Sequence, residues 1–158
     1  MVQPGQTASL VESADTSALV FRAGSMLCAL RLDDVIETMR PLATRPLAGT
    51  PAFVRGVSII RGVPTPVVDV ARLLGGERAE VCRFVAVRTE RGPVVFATGA
   101  VLGIRVTGSG DGSGHPELLG AAGRLVAGVA TLDSEPVLLL QSMRVVPDDV
   151  WAAAAGEP

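Results

Sequence analysis

Few side chains in this chain could run a reaction. There is one histidine, His115, set in a glycine-rich stretch, and two cysteines, Cys28 and Cys82, far apart in sequence. A metal centre needs several nitrogen, sulfur or oxygen ligands at close spacing, and two isolated cysteines do not supply them. No Gly-x-Ser-x-Gly turn and no phosphate loop occurs. Two acidic pairs, Asp33 with Asp34 and Asp148 with Asp149, could be proposed as paired carboxylates. Adjacent strand residues point to opposite faces, however, and acids opening a helix complement its dipole. The expectation is a non-enzymatic chain with no catalytic residue, no metal and no cofactor.

The charged groups that stand out do so because their surroundings are apolar. The stretch Phe53 to Asp69 reads as a two-stranded ribbon: Val57 to Ile60, a turn at Arg61-Gly62, then a return run through Pro64 and Pro66 to Val67-Val68-Asp69. Gly62 supplies the positive φ of a tight hairpin tip. Arg61 at that tip, Glu37 on a preceding short strand and Asp69 at the end of the return strand form a charged set. Val57 and Ile59 are its apolar neighbours. A Glu37–Arg61 pair on an apolar surface would orient a partner more than add affinity; the same pair could also simply hold the hairpin tip. The candidate protein-binding residues are therefore Glu37, Val57, Ile59, Arg61, Gly62 and Asp69.

The elements that position these residues are strands. The chain has 158 residues, 48% of them hydrophobic, with a formal charge of −2. That suits a packed domain and gives no basic stripe for nucleic acid, and with no tyrosine and one tryptophan there is little for bases to stack on. Strands are expected at Ala18–Arg22, Met26–Arg31, Val35–Met39, Phe84–Arg88, Val94–Ala97 and Val101–Ile104. The pattern repeats. Val35 and Val101 correspond 66 positions apart, and Val54-Arg-Gly-Val57 is echoed by Val126-Ala-Gly-Val129 72 positions later. Arg61-Gly62 then aligns with Asp133-Ser134, Glu37 with Gly103 and Asp69 with Gln141, so only the first copy carries the charged set. Two copies of about five strands imply an all-β fold of two small closed barrels in tandem, each ending in a brief amphipathic segment, Ala71–Leu74 and Ser142–Val146. Closure would remove exposed edges. Both cysteines are expected as free, buried thiols. Residues 1–17 read as a flexible tail without a signal peptide, and 147–158 as a short helix and tail. With no membrane span, the expected location is cytoplasmic.

The run Phe53-Val-Arg-Gly-Val through Arg61-Gly62 and Pro66-Val-Val-Asp69, preceded by Val35-Ile-Glu37 and followed by Leu73-Leu-Gly75, resembles the CheW-like domain of bacterial chemosensory systems. The resemblance runs from about Ala18 to about Val146 and is stronger in the first copy. It implies two intertwined five-stranded SH3-like barrels and a scaffold that couples a chemoreceptor's cytoplasmic tip to the regulatory domain of a CheA-type histidine kinase, in chemotaxis or a related two-component pathway. It also implies a cytoplasmic location, at membrane-associated receptor arrays only through those partners. Glu37 matches the family's acidic position, Arg61-Gly62 its hairpin tip and Asp69 the end of its Pro-Val-Val-Asp run. Two positions depart from it: Ile59 stands where the family often has Asn, and Gly99 where an Asp commonly precedes Ala100-Val101. These departures leave open an alternative, a CheW-like interaction module serving pilus motility, development or second-messenger signalling.

Overall fold

The computed structural model describes residues 15–108, 126–141 and 146–155. Ten strands lie among them: β1 (Asp15–Ala23), β2 (Met26–Arg31), β3 (Val35–Met39), β4 (Val54–Ile60), β5 (Val63–Asp69), β6 (Arg83–Thr89), β7 (Gly92–Thr98), β8 (Val101–Gly108), β9 (Val126–Leu132) and β10 (Glu135–Leu140). Two short helices accompany them, α1 (Val70–Leu73) and α2 (Asp148–Ala154). The strands form two five-stranded sheets, with orders β8-β1-β2-β10-β9 and β3-β6-β7-β5-β4. Each sheet thus draws strands from both halves of the chain. The halves are intertwined rather than set side by side.

Sequence correspondence survives this exchange in register. Arg22 faces Leu27 in one hairpin, and 66 residues on Arg88 faces Pro93 in the other. The β4–β5 ladder shifts register between Val54 and Gly56, and the β9–β10 ladder shifts at the matching place, between Leu139 and Leu140. Even the parallel contacts agree, Val67 with Val95 in one sheet and Leu139 with Ala29 in the other. The two sheets are the same design built twice.

The continuous apolar runs follow from this arrangement, because the central strands are covered on both faces. Leu19, Phe21, Cys28, Leu30, Val68, Val85, Val87, Val94 and Phe96 belong to one cluster shared by the two sheets. The alternate residues fill separate interiors. Ala18, Val20, Leu27, Ala29 and Val137 do so in the first sheet, and Val67, Phe84, Val95 and Ala97 in the second. Met39 from edge strand β3 and Ile60 from the opposite edge strand β4 both pack on the second interior, so that sheet curls on itself.

Neither sheet closes by hydrogen bonding among the described residues, which corrects the closed barrels expected from sequence. The β4 edge is protected another way. The connection from β3 to β4 returns along it, with Arg45 and Val57 exchanging both backbone hydrogen bonds at 2.8 and 2.9 Å. Ser58 Oγ donates to the Ala43 carbonyl at 2.8 Å and bonds Thr44 Oγ1. A strap of this kind blunts an edge without a closing ladder.

Other expectations also change. Asp33 and Asp34 sit in a 3-10 turn, Leu32–Asp34, rather than in a strand. Cys28 is buried but Cys82 is exposed, one residue short of β6; both are free. β1 begins at Asp15, paired to Gly108, so the expected tail boundary at residue 17 falls inside a strand. Residues 1–14, His115 and most of the Ser142–Val146 segment lie outside the described residues. No helix among the described residues is long and apolar enough to cross a membrane.

Candidate functional site

The turn between β4 and β5 has positive φ at both central residues, 51° at Arg61 and 83° at Gly62. This is the twist that a two-residue hairpin needs, and glycine takes the second position without strain. The turn throws the Arg61 side chain across to β3, on the other edge of the same sheet. There Nε and Nη2 donate to the two Glu37 carboxylate oxygens at 2.7 and 2.8 Å. The pair therefore bridges the gap between the sheet's two edges. Arg61 is 78% exposed and Glu37 26%. The hydrogen bonds from Arg61 hold the Glu37 carboxyl below its ordinary pKa, and Glu37 in turn raises that of Arg61.

Val57 and Ile59 project from the outer face of β4, since Val54, Gly56 and Ser58 take the buried one. With Leu47, Pro64 and Ala153 they line an apolar groove of about 640 Å³ between the strap, the hairpin and α2. Ile59 is 59% exposed and Val63, beside the turn, 51%. Glu37, Val57, Ile59, Arg61 and Gly62 thus gather around one hairpin. Asp69 does not join them, because it ends β5 and so stands at the end of the hairpin away from the turn. It is 4% exposed, accepts a hydrogen bond from the Arg72 amide as the N-cap of α1, and pairs with Arg55 at 3.3 Å. Its amide donates to the Phe53 carbonyl at 2.7 Å. Those contacts fix the turn from β5 into α1.

The residues that sequence reasoning missed are the far wall of the groove, Leu47 and Ala153, and Val63. Leu47 comes from the strap and Ala153 from α2, which anchors itself by burying Val150 in the shared cluster and by stacking Trp151 beneath the Arg91 guanidinium, 5.7 Å from the ring centre. The alanine run after Trp151 gives no periodic signal of where it docks. In the other sheet the charge polarity is reversed: the equivalent turn carries Asp133, paired at 3.8 Å with Arg105 of β8. Leu102, Ile104 and Val106 alternate as exposed apolar residues along that edge strand.

Gly99, one of the two departures, has a local reason. Its amide donates to the Arg22 carbonyl at 2.7 Å, and a β-carbon there would come within 3.1 Å of the same oxygen. An aspartate there would need the Arg22 carbonyl to give by a few tenths of an ångström.

Comparison with known proteins agrees with this geometry. The CheW-like domain pattern matches residues 17–149. The crystal structure of scaffolding protein TtCheW from Thermoanaerobacter tengcongensis is similar in fold, with a TM-score of 0.73 at 20% identity over 82% of this chain and 91% of that one. No curated protein matches the sequence. The intertwined pair of SH3-like sheets and the match over most of the length lead to one assignment: the chain belongs to the CheW-like domain family, a family of scaffolds in chemotaxis signal transduction.

Proposed function

We propose that this protein is a non-catalytic adaptor that couples a chemoreceptor's cytoplasmic tip to the regulatory domain of a CheA-type histidine kinase, working in the cytoplasm at receptor arrays. The family match supports the partners. The observation that carries the site is the Arg61–Glu37 pair at an exposed hairpin tip flanked by Ile59 and Val63. A buried apolar centre with an orienting charged rim is the composition of a specific protein interface. The groove beside Val57 suits the apolar face of an amphipathic receptor helix. Asp69 serves this surface indirectly, by fixing the end of β5.

Size-exclusion chromatography of the full chain with the kinase regulatory domain should yield a 1:1 complex. Failure to bind any cognate kinase or receptor fragment would overturn the proposal. A second reading rests on Ile59: an exposed isoleucine where the family often has Asn alters the centre of the patch and fits an interaction module of a pathway other than chemotaxis. Recovery of a non-receptor, non-kinase signalling partner, together with loss of binding in Ile59→Asn, would favour it.

A further inference from the structure

At the opposite end of the β4–β5 hairpin from Arg61, a concave pocket of about 310 Å³ is lined by Arg55, Arg72 and Arg78 together with Thr44, Val54 and Asp69. Three arginines thus share the lining with a single carboxylate. Asp69 is nearly buried and both of its oxygens are committed, one to the Arg55 guanidinium and one to the Arg72 backbone amide. Among the described residues no carboxylate lies within ion-pair distance of the Arg72 or Arg78 side chain. Glu77 and Glu80 share the loop with Arg78 and form no ion pair with either arginine. Among the described residues, the lining therefore keeps two positive charges with no carboxylate partner.

We propose that this pocket binds a phosphate group, as inorganic phosphate or as the monoester of a small molecule. The charge matches, since a phosphate monoester carries about −2 at neutral pH. So does the donor chemistry: guanidinium forks bond phosphate oxygens in pairs, and the three basic residues of the lining are all arginines. A simple carboxylate would neutralise only half of the excess charge. Thr44, whose hydroxyl bonds Ser58 and the Leu42 carbonyl, adds a neutral polar residue to the lining. The site is separate from the Arg61 surface and does not depend on the scaffold function.

The test is isothermal titration of the full chain with inorganic phosphate, with a nucleoside monophosphate, and with chloride at matched ionic strength, repeated on Arg72→Gln and Arg78→Gln. Saturable phosphate binding that falls at least about tenfold in each variant, with no saturable chloride binding, is expected. Tighter binding of the nucleotide than of inorganic phosphate would identify a monoester as the ligand, and equal binding would identify the free anion. Arg78 lies on an exposed loop, so its variant keeps the fold intact if Arg72→Gln does not. Saturable binding that is unchanged in both variants, or no saturable phosphate binding, would overturn the assignment. Kinase-domain binding should be unaffected by either substitution.

Discussion

Gly56 is the residue on which the β4 edge depends. Its φ is +138°, and a β-carbon would lie 2.0 Å from the Arg45 carbonyl oxygen of the strap. Gly56→Ala must therefore displace backbone rather than a flexible side chain, and it should lower stability by about 3 kcal/mol or more in chemical denaturation. The Glu37–Arg61 pair is a different case. Arg61 is too exposed for the pair to contribute much to the isolated fold, yet the sign of its pH dependence is fixed. Glu37 titrates below its ordinary value of 4.5 because Arg61 bonds its charged form, and Glu135 does likewise through Arg22. A lowered folded-state pKa gives stabilisation that is fully present above 4.5 and is lost as pH falls through the folded value. Denaturation midpoints should decline below pH 4.5 in the wild type, and less steeply in Arg61→Ala. The pair was legible from sequence, because a lone arginine at the tip of an apolar ribbon and a glutamate on an apolar strand both stand out from their surroundings. Asp69 was legible only as a charge, since its role as a helix cap depends on where Arg72 and Arg55 fold.

At the level of elements, the two hairpin turns test the repeat. Asp133 and Ser134 adopt φ of 51° and 68°, like Arg61 and Gly62, although neither is glycine. The second copy therefore keeps the turn at a steric cost at its second position, Ser134, that the first avoids with Gly62. Ser134→Gly should raise stability by about 0.5 to 1 kcal/mol, measured by thermal or chemical denaturation, less than the full left-handed cost because glycine also gains freedom in the unfolded chain. Strand identities and the turn were legible because β-branched runs, glycines and prolines mark them directly: the expected bounds of β2 and β3 match the structure, and β1 and β8 were short by several residues. The shortfall at β8 has a physical origin, since beyond Ile104 only Val106 continues the apolar alternation, before Thr107 and Gly108.

The whole molecule is held together by exchange between its halves. A repeat at constant offset reveals which strands correspond, but not which copy they pair with, and so the sequence alone could not place β8, β9 and β10 beside β1 and β2. Because neither sheet can be completed by one half, chains ending near residue 80 or beginning there should not fold alone, and circular dichroism of the mixed fragments should recover strand signal that each lacks. The proposed adaptor role uses one of these sheets, which carries both the Arg61 turn and Val57 of the groove. The most direct measurement is the affinity of the kinase regulatory domain for wild type and Arg61→Ala, with denaturation followed on the same samples. An orienting arginine at an interface should lose about 1 to 3 kcal/mol of binding while the fold keeps nearly all of its stability. Unchanged affinity in Arg61→Ala would remove the hairpin tip from the partner surface and contradict the assignment of the site.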